Sequence, residues 1–541
     1  MRNENRLRPN SFTRPASPAN LRAETIILDM SRGEFNRLLR RLRNREIRFP
    51  APNSTILVEH IENPPHQIPL GLLCLAQQRV TPGSFRVYSD PARTDLTRRH
   101  ALQHKIRSFL RGRSKRNTES TYAAFGASVA IFPHFDRKLL KKAAVLDAEA
   151  QSKISSKYDL EIFQVSGILI GDLLYDEYLH RFNVGTVDVS SPRFREFFKE
   201  SLKIYLFWDN FFSKNNVVAV IGNSVYRQAI VARIALAHDI PVFDPQVSRV
   251  VRLEGDGCEY SDVRLYREEF SKLNGSEQDD GRLQARLALN DKLAGKADLS
   301  TFHIARPTGL KRQSPLIRKT AKPKVLIAPH CFSDSAHAYG KMLFPDFEEW
   351  LRFLSVVANH TDYDWYLKEH PKGAQDRPAL EQIFSDSAIT FLPHDASLKQ
   401  LADEGISIVL TMRGHVALEM PLMGVRVISC APGTRYRDYG FTHHAQSVSE
   451  LNDILTDLEK VPAKIDSAEI EEFYFMDSIY NHPNLFFPDL LNSIRLAGSR
   501  GGGTEILKQF VLETSPAKAR EIVGQLSDFS ASHRLRFRRT K

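Results

Sequence analysis

A chain of 541 residues, 42% of them apolar, is long enough for more than one domain and for two sizeable cores. Its net charge of +11 gathers at 105–116 (KIRSFLRGRSKR), 311–324 and 534–541 (RLRFRRTK), runs that attract nucleic acid, anionic lipid or anionic substrates unless they are only solvated surface and loose ends. The 4 cysteines lack CxxC spacing, so they suggest neither a zinc site nor a disulfide framework; no stretch of about 18 apolar residues occurs, and the polar N-terminus is no secretory signal. A cytoplasmic protein is expected, at most held peripherally at the inner membrane face.

Residues 1–22 are rich in Pro, Asn and Arg and predict a disordered basic N-terminus. Thr25–Met30 predicts a first strand, and Ser31 caps a basic amphipathic helix ending near Arg45. From there to about residue 120 the pattern is mixed, with loops at Pro64-Pro65 and Pro82-Gly83. Ser128–Phe132 reads as a strand, and a basic helix runs from Arg137 to about Lys157. The stretch Phe163–Ile170 is apolar, bends at Gly171, then carries Asp172, Asp176 and Glu177. Helix Arg193–Asp209, strand Val217–Ile221, helix Val225–His238 and strand Ile240–Phe243 follow, the alternation of a parallel βαβ sheet.

A polar helix spans about 272–299, and the prolines and cations of 304–324 read as an interdomain linker. A second alternation then begins: strand Lys324–Ala328, a loop over 329–337, helix Phe347–Asn359, the Trp365 strand and a helix around Ala379–Phe384. Strand Ile389–Phe391, helix Ser397–Asp403, strand Ile406–Leu410, a helix from Val416 and strand Arg426–Ser429 complete it. The expected fold is α/β, two Rossmann-like domains whose parallel sheets face a central cleft, without the GxGxxG of a dinucleotide site. The expected bounds are 1–22 for the basic N-terminus, 23–300 for the first domain and 301–323 for the linker. The second domain takes 324–461, and 462–541 form a helical region with a basic tail.

The strand ending at Leu367 presents Lys368 and His370 at its carboxyl end, where open α/β sheets bind ligands, and Pro371 fixes the chain's exit. The strand ending at Leu410 leads through Thr411, Arg413 and Gly414 into a helix near His415, whose first amides suit a phosphate. Glu419, one turn on, can accept both ribose hydroxyls or form a salt bridge. On a helix from Gly171, Asp172 and Asp176 share one face, so one of them is either a catalytic carboxylate or a first-turn charge matched to the helix dipole. His330, Asp334 and His337 share one loop, but with no fourth ligand they make no metal site. No metal ion or cofactor is expected.

Strand-KxHP, followed by strand-T-x-x-G-H-x-x-x-E-x-P-x-x-G-x-x-V-I and Tyr436…Gly440-Phe441-Thr442, resembles the capsule and surface polysaccharide biosynthesis proteins. These are GT-B glycosyltransferases with an HP motif, among them CMP-Kdo-dependent transferases. The resemblance covers roughly 120–460 and extends to Gly171-Asp172, Tyr175-Asp176 and Asp334-x-x-His337. It implies that His370 with Pro371 contacts the donor's phosphate and that Gly414, His415 and Glu419 contact phosphate and ribose. The chain departs from the pattern at Met412-Arg413, where related sequences often have a Ser/Thr-rich turn.

The expected function is therefore transfer of a sugar from a nucleotide donor, CMP-linked before others, to a surface or capsular glycan or lipid-linked acceptor. Asp172, Asp176 or Glu177 would be the catalytic carboxylate, deprotonating the acceptor hydroxyl or, in a retaining mechanism, attacking the anomeric carbon, and His330, Asp334, His337 and Tyr436 would line the substrate. The alternatives are a CDP-polyol phosphotransferase of teichoic-acid type and a non-catalytic polysaccharide export or scaffold protein. Nucleic acid ranks last as a partner, because no aromatic motif interleaves the cations.

Overall fold

The structure, a computed structural model, describes residues 32–43, 53–61, 66–89, 121–127, 129–131, 133–246, 249–255, 257–258, 261–293, 314–370, 373–461, 465–481, 507 and 510–537. The expected strand Thr25–Met30, the N-terminus 1–22, the basic run 105–116, Pro371 and most of the linker lie outside them. Among the described residues no helix is long and apolar enough to cross a membrane.

The first sheet is built from β1 (Ser54–Glu59), β2 (Ser84–Tyr88), β3 (Val129–Ile131), β6 (Asn216–Ile221), β7 (Val242–Pro245) and β8 (Val250–Arg252). Its order is β3-β2-β1-β6-β7-β8, parallel except for the antiparallel β7–β8 pair. Helix α1 (Gln67–Val80) joins β1 to β2 and is buried from Gln67 to Gln78. A helix so enclosed has no polar face and shows no amphipathic period. It is sealed by residues 32–43 and by the C-terminal helix Pro516–Ala531. Leu39, Leu70, Leu73, Ile522, Leu526 and Phe529 share one core, each fully buried side chain contributing roughly 1.5–3 kcal/mol.

Helix α2 (Arg137–Lys153) is capped by the Asp136 carboxylate, which accepts from the Leu139 amide at 2.8 Å. The apolar run after it is a two-strand hairpin, β4 (Gln164–Val165) with β5 (Ile168–Leu169). Ser166 and Gly167 turn it with φ of +52° and +82°, the paired positive φ of a tight hairpin turn. Helix α3 (Gly171–Phe182) starts at once, and the start requires glycine because a Cβ on Gly171 would lie 1.8 Å from the Leu160 carbonyl oxygen. Helix α4 (Pro192–Lys214) leads to β6. The expected helix Val225–His238 is shorter, a 3-10 turn at Arg227–Ala229 followed by α5 (Ile230–Ala237).

The second sheet contains β9 (Lys324–Ile327), β10 (Asp364–Lys368), β11 (Thr390–Leu392), β12 (Ile408–Thr411), β13 (Arg426–Ser429) and β14 (His443–His444). It is parallel throughout in the order β11-β10-β9-β12-β13-β14. Both sheets thus repeat one Rossmann order, in which the chain reverses direction across the sheet between the first and fourth strands, the usual ligand crevice. The two carboxyl edges face one another in a GT-B arrangement. Tyr226, just after β6, lies beside Asp334 and Ser335, which follow β9.

The packing moves the expected domain bounds. Helix α6 (Gly275–Leu293), which falls within 23–300, packs on the second sheet: Ala285 and Leu289 share a core with Leu326, Tyr366 and Val409. Conversely, the tail returns to the first domain. The Phe537 amide donates to Val250 O at 2.9 Å and the Arg252 amide to Leu535 O at 2.7 Å, so Leu535–Phe537 extend the first sheet beyond β8.

Candidate functional site

At the second sheet's reversal point, β9 runs into His330 and β12 into Arg413 and Gly414. The His330 ring stacks on Phe347, the first residue of helix α7 (Phe347–Asn359), at 5.0 Å and 19°. Its Nε2 is buried without a hydrogen-bond partner and lies 3.7 Å from where a Cβ on Gly414 would stand. Burial, with Arg413 adding to it, lowers the His330 pKa to about 3, so this imidazole is neutral. Thr411 Oγ1 accepts from the Gly414 amide at 3.3 Å and fixes the turn.

Lys368 closes β10. Burial lowers its pKa, while Glu419, Asp395 and Glu369 favour its charged form. His370 Nδ1 lies 3.3 Å from Cys331 Sγ, which brings the loop after β10 against the loop after β9. His330, Lys368, His370 and Gly414 therefore lie at neighbouring strand ends on the second sheet's carboxyl edge.

Other expected residues have different work. Arg413 is buried and donates to Ala336 O at 2.7 Å and to Ser335 O, its guanidinium 4.0 Å from the Tyr339 ring centre. It tethers the loop after β9. Helix α8 (Val416–Glu419) is only one turn long, too short for a dipole able to hold a phosphate. His415 is half-buried, with Arg435 2.8 Å from its Nε2; desolvation and that cation hold its pKa well below the usual value. Glu419 pairs with Lys292 of α6 at 3.1 Å, the salt bridge left open as its alternative. Tyr436 is fully buried against Phe441 and Phe473, with its hydroxyl accepting from Arg435 at 3.0 Å, so it lines a core rather than a substrate.

The three acids of α3 separate. Asp172 faces Arg233 at 2.7 Å, inside the first domain. Glu177 pairs with Arg181 one turn on, at 3.2 Å. Asp176 crosses to the second domain. Its Oδ1 lies 2.7 Å from His337 Nδ1, and its Oδ2 accepts from the His337 amide at 3.0 Å. The expected repulsion between Asp172 and Asp176 is met by giving each its own cation. Against the opposing effect of burial, Asp176 raises the His337 pKa to about 9, so His337 is an imidazolium at neutral pH. His337 Nε2 has no hydrogen-bond partner and stands 3.8 Å from Glu161 Oε1.

His330 and His337 therefore serve opposite sides of their loop. His330 Nδ1 keeps Asp334 at 3.9 Å, and among the described residues no group of three or more His, Cys, Asp or Glu is placed to hold a metal ion. The same seam holds contacts that pattern reading missed. Tyr175 and Thr186 both donate to Asp346 Oδ2 at 2.5 Å, and Lys157 meets Glu349 at 2.5 Å. Tyr226 sits at φ +59°, a strained value for a bulky residue, with its ring 4.7 Å from that of His180. These pairings span long sequence distances and leave no local signal.

No family model matches the sequence, and no curated protein does. Among solved structures, UDP-GlcNAc 2-epimerase from Neisseria meningitidis is similar at 11% identity, with 78% of this chain and 97% of that chain covered and a TM-score of 0.24. MurG from Acinetobacter baumannii gives 12% identity, 88% and 99% coverage and a TM-score of 0.24. CalG4, the calicheamicin glycosyltransferase, gives 12% identity, 79% and 93% coverage and a TM-score of 0.23. Likeness at this level assigns no activity, and the fold stands on the two sheets themselves.

Proposed function

We propose that the protein is a metal-independent glycosyltransferase of the GT-B kind. It moves a sugar from a nucleotide-activated donor, a CMP-sugar before others, to a surface or capsular polysaccharide acceptor. The observation that carries this reading is the placement of His330, Lys368, His370 and the Gly414 turn at the second sheet's reversal point, opposite Asp176. Imidazole and ammonium donors at a sheet's carboxyl edge suit a departing nucleotide phosphate, where negative charge develops as the bond to the anomeric carbon breaks. The acceptor oxygen forms the new bond and its proton passes to a carboxylate.

Asp176, whose hydrogen bonds reach His337 of the second domain, is the one assigned to that proton. Both its oxygens are held by His337 in the arrangement described. The proton therefore reaches Asp176 only once the crevice opens and this pair parts.

Titration of the protein with CMP, CDP, UDP and GDP, followed by thermal stabilisation, tests the reading through mass action. A shift with CMP that is lost in His370→Ala, with turnover falling strongly in that variant while its fold persists, is expected. No shift with any nucleotide moves the function to glycan binding without catalysis, and a CDP shift with phosphodiester products moves it to polyol phosphate transfer.

A further inference from the structure

The first sheet has a reversal point of its own, between β1 and β6. The strand ends there bring together Glu59, Tyr88, Asn223, Ser224 and Asp244, with Glu59 and Asp244 6% and 4% exposed. Glu59 Oε2 accepts from the Asn223 amide at 2.5 Å, and Asp244 Oδ2 accepts from the Ser224 hydroxyl at 2.9 Å. The Tyr88 hydroxyl is the exception in this set. Tyr88 is 1% exposed, and its hydroxyl has no hydrogen-bond partner among the described residues. A buried hydroxyl left bare is costly unless something arrives to meet it.

The Tyr88 hydroxyl and Glu59 Oε2 converge on the Gly222 turn, where a Cβ would stand 2.2 Å and 3.0 Å from them. Burial and the neighbouring Glu59 and Asp244 charges push the phenol pKa well up, so it stays an O–H that can donate. The floor thus offers two carboxylates, which only accept, and one donor. Sugar hydroxyls and ammonium groups complement that set, whereas carboxylates and phosphates are repelled by it.

We propose that this acidic crevice binds the acceptor saccharide through its hydroxyl or ammonium groups, Glu59 and Asp244 accepting and Tyr88 donating, and rejects acceptors that place an anion there. The proposal rests on the transferase reading, which gives the second crevice to the nucleotide and leaves this one to the acceptor.

The test titrates the full chain, without nucleotide, with three trisaccharides: maltotriose, the amine-bearing chitosan trimer and the acidic trigalacturonate. One of the first two is expected to bind at least about tenfold tighter than the acidic trimer. Glu59→Gln and Asp244→Asn should weaken it on the order of tenfold. Tyr88→Phe should weaken it severalfold, and because it removes only a bare buried hydroxyl it keeps the fold. Equal or tighter binding of the acidic trimer, no binding of any trimer, or unchanged binding in both Tyr88→Phe and Glu59→Gln would overturn the proposal. The CMP-induced thermal shift, read on the same samples, reports on the transferase reading separately: its absence beside intact saccharide binding strikes that reading alone.

Discussion

The two sheets share one strand order and differ in the charge of the crevice that order creates. In the second domain the ends of β9, β10 and β12 carry His330, Lys368, His370 and Arg413; in the first the ends of β1, β2 and β7 carry Glu59, Tyr88 and Asp244. A Rossmann sheet fixes where a ligand can sit, and the few side chains at the reversal point decide what kind. One architecture used twice can therefore face an anionic ligand with an uncharged or cationic one across a single seam.

That seam is where the comparison breaks most easily. Asp176→Ala leaves the His337 ring buried without the carboxylate that holds its proton and should cost about 3–5 kcal/mol of unfolding free energy at neutral pH, read by denaturant titration. The double variant with His337→Ala should recover part of the loss. A smaller cost for the single variant than for the double would show that the two residues do not act as a pair.

Acidity should strain the two histidine sites in opposite directions. The His337 pKa is raised from 6.5 to about 9, so its contribution is complete below pH 6.5 and is lost as pH rises through 9, roughly 3 kcal/mol in all. The His330 pKa is lowered to about 3, so its contribution is complete above pH 6.5 and is lost as pH falls toward 3. A stability profile that peaks near pH 6.5, and whose alkaline limb vanishes in His337→Ala, is expected; an alkaline limb that survives would assign it elsewhere.

The glycines after the fourth strands sharpen the contrast. Gly222→Ala drives a methyl to 2.2 Å from the Tyr88 hydroxyl and should cost about 1–3 kcal/mol. Gly414→Ala meets Thr411 Oγ1 at 3.2 Å and should cost under about 1 kcal/mol while crowding His330 and weakening nucleotide binding. Smallest of all, Glu59→Gln should leave the CMP-induced thermal shift unchanged, and a lost shift would mean the two crevices are not separate sites.

Much of the second sheet was legible because its pieces alternate with amphipathic helices. Phe347–Asn359 is capped by Asp346 and buries Phe347, Trp350, Leu351 and Leu354 on one face, and its bounds follow from the sequence. The centre of the first sheet was not legible. β1 is buried almost throughout and α1 from Gln67 to Gln78, so neither shows a polar face, and the stretch reads as mixed. Lys368, His370 and Gly414 meet because strand order places neighbouring carboxyl ends together, which a βαβ pattern implies. The partners Arg233, Lys292 and His337 could not be read, since 61, 127 and 161 residues separate them from Asp172, Glu419 and Asp176. The buried ionic cluster behind the second crevice was equally invisible. There Arg435 lies 3.7 Å from Asp477, and Tyr266 donates to the same carboxylate at 3.2 Å.

The return of the C-terminal segment bears on how the chain is made. The first domain's core includes Leu507, Phe510, Ile522, Leu526 and Phe529. Synthesis must pass Phe529 before that core can close, while residues 261–481 already hold the second sheet and its covering helices. The nascent protein should therefore acquire its second domain first and carry the face of α1 that Pro516–Ala531 covers exposed until then, a stretch on which a chaperone would act.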